Sequence, residues 1–201
     1  MLRVGLTGGL ASGKSFVGRS LASMGAHLIQ ADEIGHEVLD RHGSAYPAVV
    51  EQFGAGVLDT GGNIDRRKLA AVVFNDSDKL QRLTGIVHPA VLKREQEMMD
   101  EIARTDPQGI AVVEAAILVE TGSYRKYDRL ILVVCSPEQQ MERAMHRDSY
   151  TREEVTARLQ RQLPLEEKKR LAHYIIDTSG TKENTVEQTR AVYNDLLRLN
   201  L

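Results

Sequence analysis

The sequence predicts an α/β fold: three layers, with a five-stranded parallel sheet flanked by helices. Three observations carry that expectation. Short β-branched runs alternate with longer helical patterns, the rhythm of strands joined by helical crossovers. Two of the runs, at 110–114 and 128–135, are apolar with little alternation, as suits parallel strands covered on both faces. A glycine-rich turn, Gly8-Gly-Leu-Ala-Ser-Gly-Lys-Ser15, joins the first run to the first helical pattern.

Taken in chain order, the first strand is expected at Leu2 to Thr7 and the first helix at Phe16 to Met24. The turn between them fits G-x-x-x-x-G-K-[ST]. In that position its backbone N–H groups can point inward at phosphate oxygens. Lys14 can reach the outer phosphates and the Ser15 hydroxyl can help hold Mg²⁺. The chain is therefore read as a binder of nucleoside triphosphate. The second strand, His27 to Gln30, leads to Asp32. Ligands of open parallel sheets sit at the carboxyl ends of strands, so a carboxylate there can accept a proton from an attacking hydroxyl. The alternative is that Asp32 N-caps a helix from Glu33 to Asp40.

About seventy-five residues then pass, from Asp32 to Pro107, without a convincing strand; they read as an inserted helical subdomain. Turn signals stand at Gly54-Ala-Gly56 and Gly61-Gly62-Asn63, and Asp65-Arg66 opens a short helix. His88-Pro89 is expected to precede a helix from Ala90 to Arg104, with the proline in its first turn. On physical grounds alone neither Arg66 nor His88 is singled out.

The third strand, Ile110 to Glu114, ends on an acid that can assist Mg²⁺, with a cap or ion-pair role as the alternative. Glu120, farther on, is equally compatible with a solvated position. The fourth strand, Asp128 to Cys135, carries the single cysteine, read as core packing. From Pro137 to Ala172 the chain is highly charged, with six arginines between Arg143 and Arg170. That segment suits a solvated helical pair or a lid that brings arginines over a triphosphate; beside a phosphate loop the lid is preferred. A fifth strand, Tyr174 to Asp177, and a helix from Lys182 to Arg198 close the chain.

At 201 residues there is room for one α/β domain with insertions. Lys and Arg number 26 against 28 Asp and Glu, so no global basic field recruits nucleic acid. One cysteine excludes an internal disulfide framework, and the six histidines show no zinc-like spacing. No apolar run approaches the roughly 20 residues of a membrane span. The opening strand leaves no room for a signal peptide, so a soluble, cytoplasmic protein is expected. No Asn-Lys-x-Asp-like base-reading motif argues for a GTPase.

In this order the pieces resemble the dephospho-CoA kinase family, over essentially the whole chain. The matching residues are Leu6 to Ser15, with Ala11 where glycine is more usual, Asp32 in Gln30-Ala-Asp-Glu-Ile34, and Gly62-Asn-Ile-Asp-Arg-Arg-Lys-Leu69 with Val73-Phe74. They continue through Ile86-Val-His-Pro89, Glu114 to Glu120, Glu142-Arg143, Arg147-Asp148, Arg158 with Gln162, and Ala172 to Gly180.

The resemblance implies a P-loop nucleotide-kinase-like fold in a single domain over 1–201. Its core would take about 1–31, 107–137 and 173–201, a helical substrate-binding insertion about 32–106, and a helical lid about 138–172. It implies transfer of the ATP γ-phosphoryl to the 3′-hydroxyl of dephospho-CoA, the last step of coenzyme A synthesis, with Mg²⁺. Asp32, Lys14 and Arg143 would be catalytic, Asp32 as the base or the orienter of the hydroxyl. Gly8, Gly9, Ala11, Ser12, Gly13, Lys14, Ser15 and Phe16 would hold the triphosphate, reached from the lid by Arg143 and Arg147. Asp32, Arg66 and His88 would meet the acceptor, and Ser15 and Glu114 the metal. A monomer or weak homo-oligomer is expected, with no membrane or nucleic-acid partner. Family members often carry Asp-Val-Pro where this chain has Glu114-Ala115-Ala116, and asparagine where Thr178 stands near the expected adenine pocket. Two other readings stay open: a different small P-loop kinase, and a nucleotide switch that hydrolyses without transfer.

Overall fold

Five strands form one sheet: β1 (Leu2–Gly8), β2 (His27–Gln30), β3 (Ile110–Glu114), β4 (Arg129–Val134) and β5 (Tyr174–Asp177). Their order is β2-β3-β1-β4-β5, and β1 runs parallel to both its neighbours, as does β4 to β5. A computed structural model of the chain describes residues 1–74, 76–148, 151–160 and 162–200, with backbone alone at 147 and 148. The helices of those residues are α1 (Lys14–Ser23), α2 (Ala31–Glu37), α3 (Tyr46–Phe53), α4 (Arg66–Val73) and α5 (Ser77–Thr105). They are followed by α6 (Pro137–Asp148), α7 (Arg152–Gln160), α8 (Leu165–Leu171) and α9 (Lys182–Leu199).

The chain divides into two compact units, residues 1–29 with 101–201, and residues 30–100. In the first, β1 is buried along its length except at Arg3, and β3 is buried throughout. Val4, Leu6, Val112, Ile131 and Ile176 from the sheet pack with Val17 and Leu21 of α1 and Leu196 of α9. Both faces of these strands are covered, which is why their apolar runs are unbroken. Arg3 pairs instead with Asp128 at 3.0 Å, and its hydrogen bonds hold that carboxyl below the usual carboxylate range. The chain visits β2 on one side of β1 and later β4 and β5 on the other. The switch point therefore falls at β1, whose carboxyl end opens the crevice where ligands bind in such sheets. The register sets Leu6 opposite Glu114 and Gly8 opposite Val133, so the ends of β3 and β4 flank the loop that leaves β1.

The second unit is helical. Val49, Val57, Leu69 and Val73 form its core, with Phe53, Leu83, Ile86 and Val87 packed against them. One antiparallel bridge, Leu58 to Ile64, closes the turn between them. Asp65 caps α4 by accepting from the N–H groups of Arg67 at 2.9 Å and Lys68 at 3.2 Å.

Three expectations are corrected. The long helix begins at Ser77, because Asp76 accepts the Lys79 N–H at 3.0 Å and caps it there. Pro89 thus lies inside α5, where its missing N–H forfeits one bond to the Gly85 carbonyl. Leu83, Ile86 and Val87 show what offsets that loss, since they join the core from the turns just before the proline. Among its described residues the charged segment from 137 holds three helices, α6 to α8, where the solvated alternative had a pair. Finally, α2 starts at Ala31 with Gln30 at its cap, so Asp32 sits in the first turn and is not the N-cap.

Candidate active site

Gly13 carries the phosphate-loop geometry. It stands at φ 90° as the cap of α1, a left-handed conformation that glycine alone adopts without strain. This turn aims the helix N-terminus, with Lys14 and Ser15 in its first turn, back over the end of β1. Lys14 Nζ donates to the carbonyls of Gly8 at 3.1 Å and Gly9 at 3.3 Å. The ammonium is thereby held across the loop mouth, where outer phosphate oxygens would lie. Ala11 also has positive φ, at 53°, the one non-glycine residue to do so among the described residues. A left-handed L-residue costs about 1–2 kcal/mol. Its methyl is buried with Ala144 and Val155, a packing gain that sets against the strain.

Ser15 Oγ donates to Glu114 Oε1 at 2.6 Å. Glu114 is 7% exposed, at the end of β3. A hydroxyl and a carboxylate side by side at the start of α1 make a donor set of hard oxygens. Mg²⁺ takes one or two such protein ligands and fills its shell with phosphates and water. The pair fits Mg²⁺ on its donor chemistry. No cluster of three or more His, Cys, Asp or Glu suited to a metal occurs among the described residues.

On the β4 and β5 side, Arg143 of α6 is bonded twice to Thr178, to Oγ1 at 3.0 Å and to the carbonyl at 2.8 Å. The Thr178 hydroxyl in turn donates to the Ser12 carbonyl at 2.8 Å. One buried threonine therefore brackets the loop to Arg143, a role that no local pattern signals; the resemblance marks Thr178 only as a departure near the expected adenine pocket. Ser12 Oγ is buried with no hydrogen-bond partner among the described residues, a donor or acceptor that a ligand could satisfy. Cys135 lies at the end of β4, and burial pushes its thiol pKa up, which suits packing rather than reactivity.

Glu120 is not solvated. It forms an ion pair with Lys168 of α8, whose side chain is 3% exposed, and also accepts the Leu163 N–H at 3.3 Å. No local pattern marks two residues so far apart as partners.

The first unit thus brings together Gly8, Gly9, Ala11, Ser12, Gly13, Lys14, Ser15, Phe16, Glu114 and Arg143. The side chain of Arg147 lies outside the described residues. Asp32, Arg66 and His88 belong to the second unit, and all three are exposed. Asp32 follows β2 by two residues and Arg66 opens α4. The second unit also holds a pocket of about 800 Å³ lined by Arg41, His42, Lys93, Arg94, Glu37 and Asp40 among others. Asp32, Arg66 and His88 do not line it, and His88 borders a separate apolar hollow along α5.

The dephospho-CoA kinase family model matches residues 2–184. A dephospho-CoA kinase from Aquifex aeolicus is 39% identical over 198 residues, 98% of this chain and 99% of the relative. Among solved structures, a protein from Thermus thermophilus superposes with a TM-score of 0.81 at 31% identity, over 97% of each chain. The dephospho-CoA kinase from Campylobacter jejuni gives a TM-score of 0.75 at 26% identity, over 99% of this chain and 98% of that one.

Proposed function

The chain belongs to the dephospho-CoA kinase family, which uses ATP to phosphorylate dephospho-CoA, and on that premise we propose how its residues divide the work. The reaction moves the γ-phosphoryl of ATP to the 3′-hydroxyl of dephospho-CoA. The bond between Pγ and the β–γ bridging oxygen breaks as the 3′-oxygen bonds to Pγ, leaving ADP and CoA. Asp32 takes the hydroxyl proton or orients the hydroxyl for in-line attack. The loop N–H groups from Gly8 to Phe16 hold the phosphates, and Lys14 neutralises charge on the outer ones. Arg143, with Arg147, adds positive charge from the lid segment 138–172.

Ser15 and Glu114 would hold Mg²⁺, which would supply charge neutralisation for the transferring phosphoryl group. The helical segment 32–106 receives the acceptor, with Arg66 and His88 as contacts. The core is drawn from about 1–31, 107–137 and 173–201. We place the working protein in the cytoplasm as a monomer or weak homo-oligomer without a nucleic-acid partner. The near-neutral charge of −2 offers no global basic field to recruit nucleic acid, and among the described residues no helix is long and apolar enough to cross a membrane.

The observation that carries the reading is the union, at one loop, of Lys14 on the Gly8 and Gly9 carbonyls and Ser15 on Glu114. Its test is Asp32→Asn under saturating Mg-ATP. As a general base, Asp32 should be worth roughly 10²–10⁴ in kcat. A loss below tenfold would leave Asp32 as an orienting group only, and unchanged turnover would remove it from the site.

A further inference from the structure

Two glutamine carboxamides stand on the outer edge of the phosphate loop. Gln162 Oε1 accepts the Leu10 N–H at 3.3 Å, and Gln140 Nε2 of α6 occupies the place where a side chain at Gly9 would go. Glycine at position 9 is what lets that carboxamide lie against the loop backbone. Both glutamines line a pocket of about 240 Å³ with Gly9, Ser12, Cys135 and Lys168. The next residue after Gln162 is fixed from the other side, for the Leu163 N–H is bonded to Glu120 Oε1. That same carboxylate oxygen pairs with the buried Lys168. Gln162 is thus held between the phosphate loop and a nearly dry ion pair, where removing one partner is far more disruptive than removing both.

A backbone N–H has one hydrogen, and phosphate loops work by pointing such hydrogens at phosphate oxygens. We propose that Gln162 is a positioning residue whose carboxamide oxygen, anchored through the Glu120–Lys168 pair, competes with a phosphate oxygen for the Leu10 N–H and so sets nucleotide affinity. This rests on the triphosphate reading of the loop, but not on the identity of the acceptor. The Gln162 side chain swings away as the outer phosphate takes the amide. Its weak, neutral bond is one that an anionic oxygen displaces readily, since charge-assisted hydrogen bonds are about twice as strong.

Calorimetric titration of the full chain with Mg-ATP, and separately with inorganic tripolyphosphate, tests this without any phosphoryl transfer. Gln162→Ala should tighten both by roughly two- to tenfold, the range of one net hydrogen bond. Gln162→Glu places a charged acceptor on the same N–H and should weaken both by about tenfold or more. Lys168→Met should move affinity in the direction of Gln162→Ala. The paired change Glu120→Gln with Lys168→Met leaves no buried charge, so affinity is read from it if the single variant fails to fold. In the protein without nucleotide, the Leu10 amide resonance should shift in Gln162→Ala. Unchanged or weaker binding in Gln162→Ala, or an unmoved Leu10 resonance, would overturn the proposal. Failure of the acceptor reading would appear elsewhere, as ADP release indifferent to dephospho-CoA, and would leave these titrations standing.

Discussion

Thr178→Val separates the bracket between the loop and Arg143 from simple packing. Valine keeps the shape of threonine but deletes the hydroxyl, which donates to the Ser12 carbonyl at 2.8 Å and accepts from Arg143 at 3.0 Å. Thr178 is 6% exposed, so water cannot replace the lost partners. A buried neutral hydrogen bond contributes about 1 kcal/mol net, and one to a charged group about 1.5 kcal/mol or more. Arg143 keeps its second bond, to the Thr178 carbonyl at 2.8 Å, and the added methyl recovers part of the loss. The expected destabilisation is about 2 kcal/mol. At about 2–4 °C per kcal/mol for a chain of this size, Tm should fall by roughly 4–8 °C in scanning calorimetry. Thr178→Ser, which restores the hydroxyl, should recover most of it. The KM for ATP should rise in Thr178→Val, because both the loop and Arg143 lose a fixed neighbour. A Tm change below about 1 °C would mean that the hydroxyl carries no net bond.

Other perturbations follow from the same geometry. Ala11→Gly relieves a left-handed strain of about 1–2 kcal/mol, but gives up a buried methyl of about 0.8 kcal/mol and about 0.4–1 kcal/mol of unfolded-state entropy. Its net effect on stability should lie within about 1 kcal/mol, and a gain of about 2 kcal/mol or more in denaturant titration would show that the methyl packs to no benefit. Lys14→Ala should lose roughly a hundredfold or more in kcat, as a positioned charge on the transferring phosphoryl is removed; normal steady-state turnover would sink the loop's assignment. Asp128→Asn tests the pair with Arg3. The Asp128 pKa is lowered in the folded chain, so its stabilisation is fully present above the unfolded value near about pH 4 and is lost as pH falls through the folded value. Both partners are substantially exposed, so the contribution at pH 7 is at most about 1 kcal/mol. The Tm gap between parent and variant should narrow as pH falls from about 4 through the folded value, and a gap that does not narrow would contradict the assignment.

Much of the sheet was legible because its signals are local. The apolar runs at 110–114 and 128–135 read as strands buried on both faces, the second observed at 129–134, and the glycine turn placed the loop and α1. Asp65-Arg66 after the glycine turn marked the opening of α4, and the structure adds that Asp65 caps it. What escaped depends on contacts between distant parts of the chain. Pro89 reads as a helix start in isolation, yet Asp76 caps the helix earlier and Leu83, Ile86 and Val87 hold that stretch in the core. Glu120 reads as equally compatible with a solvated position until Lys168 folds against it. Arg143 reads as a lid arginine, and its attachment to Thr178 could not be seen from either residue's surroundings. At Ala11 the resemblance supplied the clue, an alanine where glycine is more usual, and the positive φ gives it a physical meaning.

ADP release from Mg-ATP, measured with and without dephospho-CoA and with the product identified by mass, tests the transfer itself. ADP formed only in the presence of dephospho-CoA, in step with a product one phosphoryl group heavier, is the predicted result. ADP released at the same rate without the acceptor, or a dephospho-CoA of unchanged mass, would contradict it.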